Sequence, residues 1–387
     1  MSQPAIYLDN NATTRVDPRV VERILQCFRE EFGNPSSTHR AGSRAAAAIE
    51  AAREQVARSL GATPDTIVFT SGGTEADNLA LTGVLEANPA KRHVVVCAVE
   101  HHAVSEHAHY LATRGFEVTT WGVDRAGRPD LEALPRLIRP DTALVVAMLA
   151  NNETGVVLPL REIVGISHAA GALVMSDAVN ALGKIAIDVV GLGIDLMAVS
   201  AHKVHGPKGV GALYIRKGLK IAPLLHGGPQ ERRRRGGTQN VPGIVGFGAA
   251  CALLSQAEIH QTIEATGRLR DRLESFIRSN IADAHVIGVD SPRLPNTCCV
   301  CFADCDAEAL LMLLSEAGIY ASSGSACSSG AIEASPILRA MGVEPRVARG
   351  QIRFSLSRET TAEEIDAVTT KLPELVARAR KMTAAMG

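Results

Sequence analysis

The sequence lacks the features that would send it to a membrane or a nucleic acid. Its net charge is -1, so nothing general draws it to a polyanion or an anionic lipid surface. No basic segment followed by a long apolar run opens the chain, so no secretory signal is expected. The longest apolar runs, such as Ala143 to Ala150, fall far short of the roughly 20 residues that span a bilayer. They suit buried strands instead. There is no internal repeat and no low-complexity tail. The eight cysteines do not make a disulfide scaffold in a chain of 387 residues, so a reducing cytoplasm is expected, with most thiols buried. Lysine is scarce, with eight in the chain.

What is present is the composition of a folded protein, 46% hydrophobic and 21% charged, at a length that implies two domains. Apolar strand patterns at Thr66 to Thr70, His93 to Val99, Phe116 to Trp121, Ala143 to Leu149, Ala172 to Ser176 and Leu196 to Ser200 alternate with helical ones. The helical patterns are Ser43 to Leu60, Leu79 to Leu85, His102 to Thr113, Leu131 to Ile138 and Leu160 to His168. That alternation predicts an α/β fold with a mainly parallel sheet covered on both faces. Ligands bind such sheets at the carboxyl ends of the strands. Beyond about Ser255 the pattern changes. Helices at Ile263 to Arg278, Ala307 to Ala317 and from Thr361 onward surround strands at Thr297 to Phe302 and Ile352 to Leu356. This mix predicts a smaller α+β domain against which the N-terminal arm packs.

The chemistry-bearing residues follow strands. Lysine forms a Schiff base when its pKa is lowered beside a carbonyl. Most lysines are solvated surface charges, but Lys203 closes Ser200-Ala201-His202-Lys203 just past an apolar strand. Ser200 and His202 there can each bond a phosphate. Asp177 ends a second strand and either caps a turn or faces a pyridine nitrogen, keeping it protonated so that the ring takes up electrons. Asn180 can donate to the phenolic oxygen of such a ring. Ser71-Gly72-Gly73-Thr74 ends a third strand and opens a helix, which suits a single phosphate. His101, after a fourth, is a core or capping histidine, or a ring that stacks on a flat cofactor and exchanges protons. The nearby His102, His107 and His109 invite a zinc reading, but no cysteine sits at ligand spacing.

Cys327 stands among small polar residues, from Ala321 to Ala331. The segment is either a linker with an incidental cysteine or a mobile tether for a nucleophile. Cys298, Cys299, Cys301 and Cys305 resemble a metal cluster, but strand alternation would turn neighbours to opposite faces. Arg232 to Arg235 is an isolated basic run. With Gly236, Gly237 and Thr238 it reads as another phosphate contact rather than a nucleic-acid groove.

Taken together, these residues resemble the group I cysteine desulfurases, NifS and IscS. Matching stretches are Tyr7 to Thr14, Phe32-Gly33-Asn34-Pro35-Ser36, Phe69 to Glu75, Asn151-Asn152-Glu153-Thr154-Gly155, His202-Lys203, Ser322 to Ser329 and Arg353 to Leu356. The resemblance implies a pyridoxal-5'-phosphate-dependent transferase of fold type I, aspartate aminotransferase-like. Such a fold has a large domain with a mainly parallel seven-stranded sheet, expected at residues 14–255. Its smaller α+β domain, from residues 1–13 and 256–387, carries the Cys327 loop. It also implies a homodimer that converts L-cysteine to L-alanine and passes sulfur as a persulfide to an iron–sulfur scaffold or another acceptor protein.

By motif match, Lys203 forms the Schiff base, His101 stacks on the ring and Asp177 faces its nitrogen. Gly73, Thr74, Ser200 and His202 hold the phosphate, joined by Thr238 of the second subunit. Asn152 lies near the phenolic oxygen and the substrate, with Asn11 beside it. Arg353 clamps the substrate carboxylate, and Cys327 is the persulfide carrier. No metal is expected, beyond contact of Cys327 with a cluster during transfer. The family usually has Gln where this chain has Asn180, which is shorter by one methylene, so its bond to the phenolic oxygen is lost, lengthened or water-mediated. The Asn-Asn-Glu-Thr-Gly stretch and the absence of the longer IscS tail favour NifS, and with it supply of sulfur to nitrogenase clusters. The alternatives are a selenocysteine lyase or other aminotransferase-like pyridoxal enzyme and, from a different class, a metal-binding scaffold built on Cys298 to Cys305.

Overall fold

Apolar β-rich runs alternating with helices need a sheet buried on both faces, and the chain builds one. The computed structural model describes residues 5–324 and 335–386. The large sheet is formed by β2 (Ile67–Thr70), β3 (His93–Cys97), β4 (Glu117–Trp121), β5 (Thr142–Val146), β6 (Leu173–Asp177), β7 (Leu196–Ser200) and β8 (Gly211–Ile215). Their spatial order is β2-β8-β7-β6-β5-β3-β4. All neighbours are parallel except β8, which runs against both β2 and β7. The reversal of β8 leaves β2 pointing the same way as β7. Side chains alternate between two cores: Val95, Val145, Val174 and Val199 face one, and Val94, Leu144, Met175 and Ala198 face the other. That alternation on two apolar faces is why the strands read as continuous hydrophobic runs.

Helices cover the faces. Asp17 caps α1 (Pro18–Glu30), its carboxylate accepting from the Arg19 amide at 2.9 Å, with Pro18 at the first position. Then come α2 (Arg40–Ser59), α3 (Gly73–Ala87) and α4 (His102–Thr113). The pattern at Leu131 to Ile138 yields only a four-residue helix, Leu134–Leu137. Asp130 there folds the preceding residues into a turn by accepting from the amides of Glu132 and Ala133. An unforeseen helix, Val241–Leu253, is buried beside α1 and α2, where Gly246 approaches Ile24 and Gly248 approaches Ala52.

A second layer holds β9 (Ala284–Val286), β10 (Thr297–Phe302) and β12 (Gln351–Ser355) in an antiparallel sheet ordered β12-β10-β9. Helices Ala257–Asn280, Ala307–Glu316 and Ala362–Met386 accompany it. Its own apolar core gathers Leu273, Val300, Phe354 and Leu372. The N-terminal β1 (Ile6–Tyr7) pairs in parallel with β11 (Ile319–Tyr320), and Ile6 and Leu8 enter this second core. The first residues of the arm, Ile6 to Leu8, therefore pack against the smaller layer.

Candidate active site

The carboxyl ends of β2, β3, β5, β6 and β7 lie along one edge of the large sheet, and each is followed by a residue with chemistry to offer. A short 3-10 turn, Ala201–Lys203, follows β7. It places Lys203 half-buried, with Nζ donating to the carbonyls of Asn11 and of Ala12, the latter at 2.8 Å. The N-terminal arm clasps the same turn. Thr14 donates to the His202 carbonyl through its amide and its hydroxyl, both at 2.9 Å. The His202 ring meets the Thr13 hydroxyl at 3.2 Å. Burial, then the Lys203, Lys208 and Lys184 cations, bring His202 down to about 4, so it is neutral near pH 7.

At the end of β6, Asp177 is buried, and its carboxylate accepts from the Val179 amide at 2.8 Å. Burial raises its pKa against the opposing pull of His101 and Lys203. Two further buried acids stand close enough to repel it, Asp77 on α3 and Glu100 after β3. Each leaves one carboxyl oxygen without a partner. His101 caps α4, its Nδ1 accepting from the Ala103 amide at 3.1 Å, which puts the proton of the neutral ring on Nε2. Burial keeps that ring neutral by lowering its pKa. After β2, Gly73 opens α3, whose first amides have no backbone acceptor, as at any helix start. Val179 lies 2.6 Å from where a Gly73 Cβ would be, so only glycine fits. Thr74 beside it is exposed, and Ser200 is buried below.

The loop after β5 is organised by Asn151. Its Oδ1 accepts from the amides of Glu153 and Thr154, and its Nδ2 donates to the Val99 carbonyl. This turn exposes the Asn152 carbonyl to Arg353 Nη1, at 3.0 Å, and to Asn11 Nδ2, at 3.1 Å. Arg353 rises from β12 of the smaller sheet, buried, with Nη2 on Asp9 at 3.0 Å. Two buried atoms of this junction have no partner, Asn152 Oδ1 and Arg353 Nε. Such orphans in a native structure call for an explanation, a functional role or a bound water, ion or ligand among them. Asn11 itself is spent on the framework: Nδ2 also donates to Thr297 Oγ1, and Oδ1 accepts from Lys184 and Asn296. A cavity of about 510 Å³ beside the junction is lined by Glu100, His101, Asn152, Glu153, Gly324 and Pro336.

An aldehyde-bearing, phosphorylated pyridine matches this donor set. An amine lies at one strand end, a carboxyl at the next, helix-start amides at a third, and a guanidinium with unpartnered N–H lies opposite.

The family model for class-V aminotransferases matches residues 6–368. The chain belongs to that family. Within it, the chain is 49% identical to the cysteine desulfurase of Trichormus azollae over 378 residues, covering 98% of this chain and 94% of the relative. It is 45% identical to the cysteine desulfurase NifS of Azotobacter vinelandii over 379 residues, with 98% and 94% covered. A solved NifS-like protein superposes with a TM-score of 0.90 at 42% identity, over 97% of this chain and all of that one. The fold is that of the family's pyridoxal-phosphate enzymes.

The remaining expectations divide on contact. Seven of the eight cysteines are buried free thiols. Burial pushes Cys27, Cys251 and Cys299 up to about 12 and Cys305 up to about 11, and also raises Cys97, Cys298 and Cys301. On β10, Cys298 faces the second core with Cys305, while Cys299 and Cys301 face the first. The four therefore do not converge, which removes the scaffold reading built on them. Cys327 lies outside the described residues. His107 bonds Thr82 at 2.8 Å, while His102 and His109 flank Glu106 at the surface. Of the arginine run, Arg235 is paired with Glu75 at 2.8 Å, and Thr238 beyond it is exposed. Two residues escaped the sequence reading. Asn151 was visible only as part of a matching stretch. Lys184 looked like any surface lysine, although it stands one helical step after Asn180.

Proposed function

We propose that this chain is a cysteine desulfurase that converts L-cysteine to L-alanine and holds the sulfur as a persulfide on Cys327. The observation that carries the reading is the convergence of Lys203, Asp177, His101 and the Arg353–Asn152 junction on one sheet edge. Pyridoxal phosphate, when bound, supplies an aldehyde that condenses with an amine and a protonated ring that draws electrons from the substrate Cα. Lys203 would hold the aldehyde, Asp177 would keep the ring nitrogen protonated, and His101 would cover the ring. Gly73, Thr74, Ser200 and His202 take the phosphate, with Thr238 contributed by a second copy.

Arg353 binds the substrate carboxylate through N–H groups that Asn152 and Asp9 leave available. The Lys203 amine would take the proton from the substrate Cα. The Cys327 thiolate attacks the substrate Sγ, and a sulfur–sulfur bond forms as the Cβ–Sγ bond breaks. The electron pair stays with the carbon fragment, which is protonated and leaves as L-alanine. Two observations support Cys327 as the carrier. The other thiols are buried and held protonated, and the residues flanking its stretch, Gly324 and Pro336, line the cavity beside His101.

The same reading takes residues 14–255 as the cofactor domain and 1–13 with 256–387 as the second, supported by the separate core around Leu273 and Phe354. It takes the working unit as a homodimer. Val21, Leu25 and Phe28 on α1, with Phe32 beyond it, form an exposed apolar stripe that suits a second copy. The sulfur then goes to an acceptor in the cytoplasm, an iron–sulfur scaffold serving nitrogenase. No described helix is long and apolar enough to cross a membrane. An absorbance scan of purified protein with pyridoxal phosphate, before and after L-cysteine, tests the chemistry. A visible band that changes on adding cysteine, with alanine formed, is expected; a colourless protein refutes it. L-selenocysteine in the same assay separates a selenocysteine lyase.

A further inference from the structure

Lys184 is a buried amine that the mechanism above does not use. Its Nζ donates to Asn11 Oδ1 at 3.2 Å and to Asn180 Oδ1 at 3.4 Å. Both partners are neutral amides, and no carboxylate among the described residues pairs with it. The charged groups that act on it are Lys203 and Arg353, both cations, and it acts in turn on the rings of His202 and His205. Lys184 and Lys203 line one narrow cavity of about 40 Å³ with Asn10, Thr14 and Asn296. Burial holds the amine well below the ordinary lysine range. A lysine in such a place costs stability, so its retention calls for a task.

The contact settles which way an amide points. Lys184 Nζ donates to Asn180 Oδ1, so the Asn180 atom facing it is the carbonyl oxygen. Asn180 is buried, and among the described residues its NH₂ has no partner. We propose that Lys184 is a positioning residue. By holding the carbonyl end of Asn180, it presents the NH₂ end to the oxygen on the cofactor ring, and so compensates for the short side chain at this position. Asn11 anchors Lys184 from the other side, and the same Asn11 offers its backbone carbonyl to Lys203. Asn11 therefore contacts both amines.

This inference rests on the pyridoxal-phosphate reading, and the test separates the two. The readout is the pH at which the visible absorbance of the bound cofactor changes, measured on the cofactor-loaded protein without substrate. An N–H donor favours the ionised ring oxygen, so its loss moves the transition to higher pH. Lys184→Met is expected to raise the midpoint by about one pH unit, a tenfold change. Asn180→Ala is expected to do the same. The double variant is expected to match Asn180→Ala alone, because Lys184 acts through that amide. An unchanged midpoint in Lys184→Met, or two shifts that simply add, overturns the proposal, the second showing that Lys184 acts through its charge. Should Lys184→Met not fold, Asn180→Asp keeps an acceptor for Lys184 but has no N–H. A wild-type midpoint in that variant likewise overturns the proposal. A wild-type protein that stays colourless with pyridoxal phosphate overturns the cofactor reading, whereas a coloured one with an additive cycle overturns only the role of Lys184.

Discussion

Two buried polar clusters in this molecule treat their hydrogen bonds in opposite ways. In the first, Arg53 and Glu231 meet through paired contacts of 2.7 and 3.0 Å. Their side chains are 3% and 1% exposed. Arg53 also reaches the Ile67 carbonyl, and Glu231 takes the Phe69 amide and Gln239. This knot pins three successive non-glycine residues with positive φ, Glu231 at 46°, Arg232 at 57° and Arg233 at 64°. Such backbone costs roughly 1–3 kcal/mol per residue and persists only where its surroundings over-determine it. In the second cluster, at the sheet edge, Asn152 Oδ1, Arg353 Nε, Glu100 Oε2 and Asp77 Oδ1 are buried without partners. The satisfied pair serves architecture, whereas at the sheet edge Asn152 Oδ1 and Arg353 Nε keep bonding capacity that the framework does not use.

The contrast can be broken at several points. The largest effect belongs to Lys203. Lys203→Ala is expected to abolish the cofactor's visible absorbance and all turnover while leaving the unfolding midpoint of the cofactor-free protein nearly unchanged. A variant that kept its colour would place the amine elsewhere. Next is the knot. Glu231→Leu takes the buried carboxylate from Arg53 and leaves it only the half-exposed Glu50 and the Ile67 carbonyl, and removing one member of a buried pair costs about 3–5 kcal/mol. Urea unfolding should report that loss. If stability holds, the knot is not what secures the strained turn.

Much of this contrast was open to a reader of the sequence, for physical reasons that differ along the chain. Strands β7 and β10 and helix α4 lie where the apolar pattern put them, because each is a run long enough to show its period. Ligand chemistry at strand ends follows from the geometry of parallel sheets, so the placement of Lys203, Asp177 and His101 at or just past strand ends could be read without coordinates. The reversed strand β8 could not. Gly211-Ala212-Leu213-Tyr214-Ile215 is short and gives no sign of its direction, which depends on the turn after Lys203. Helix Val241–Leu253 is apolar all round and carries glycines where it touches α1 and α2, so it shows no amphipathic period. Lys184 was hidden because its burial depends on Asn11, far away in sequence.

The third test uses pH. Burial, reinforced by the nearby Asp177 carboxyl, pushes Glu100 up from 4.5 to about 8. The folded protein therefore holds a proton that the unfolded chain releases near its ordinary value, and stability falls as pH rises between those two values. Glu100→Gln keeps an acceptor for the Met148 amide, which Glu100 meets at 2.5 Å, and cannot ionise. In the cofactor-free protein it should be more stable than wild type above pH 8 by an amount on the order of a few kcal/mol, and about equal near pH 4.5. Parallel curves at the two pH values would mean that Glu100 ionises normally.

The smallest effect sharpens the comparison among cysteines. Cys298 packs in the second core with no polar task, so Cys298→Ala removes only a buried sulfur and should cost about 1 kcal/mol of stability with turnover intact. Cys327→Ala should do the reverse, keeping the stability and the visible band while losing persulfide and alanine formation. Each variant is a control for the other: a thiol in a core is felt by urea and ignored by cysteine, and a carrier thiol is the opposite. If Cys298→Ala abolished turnover while Cys327→Ala desulfurated at the wild-type rate, sulfur would have to pass through β10, whose thiols burial keeps protonated.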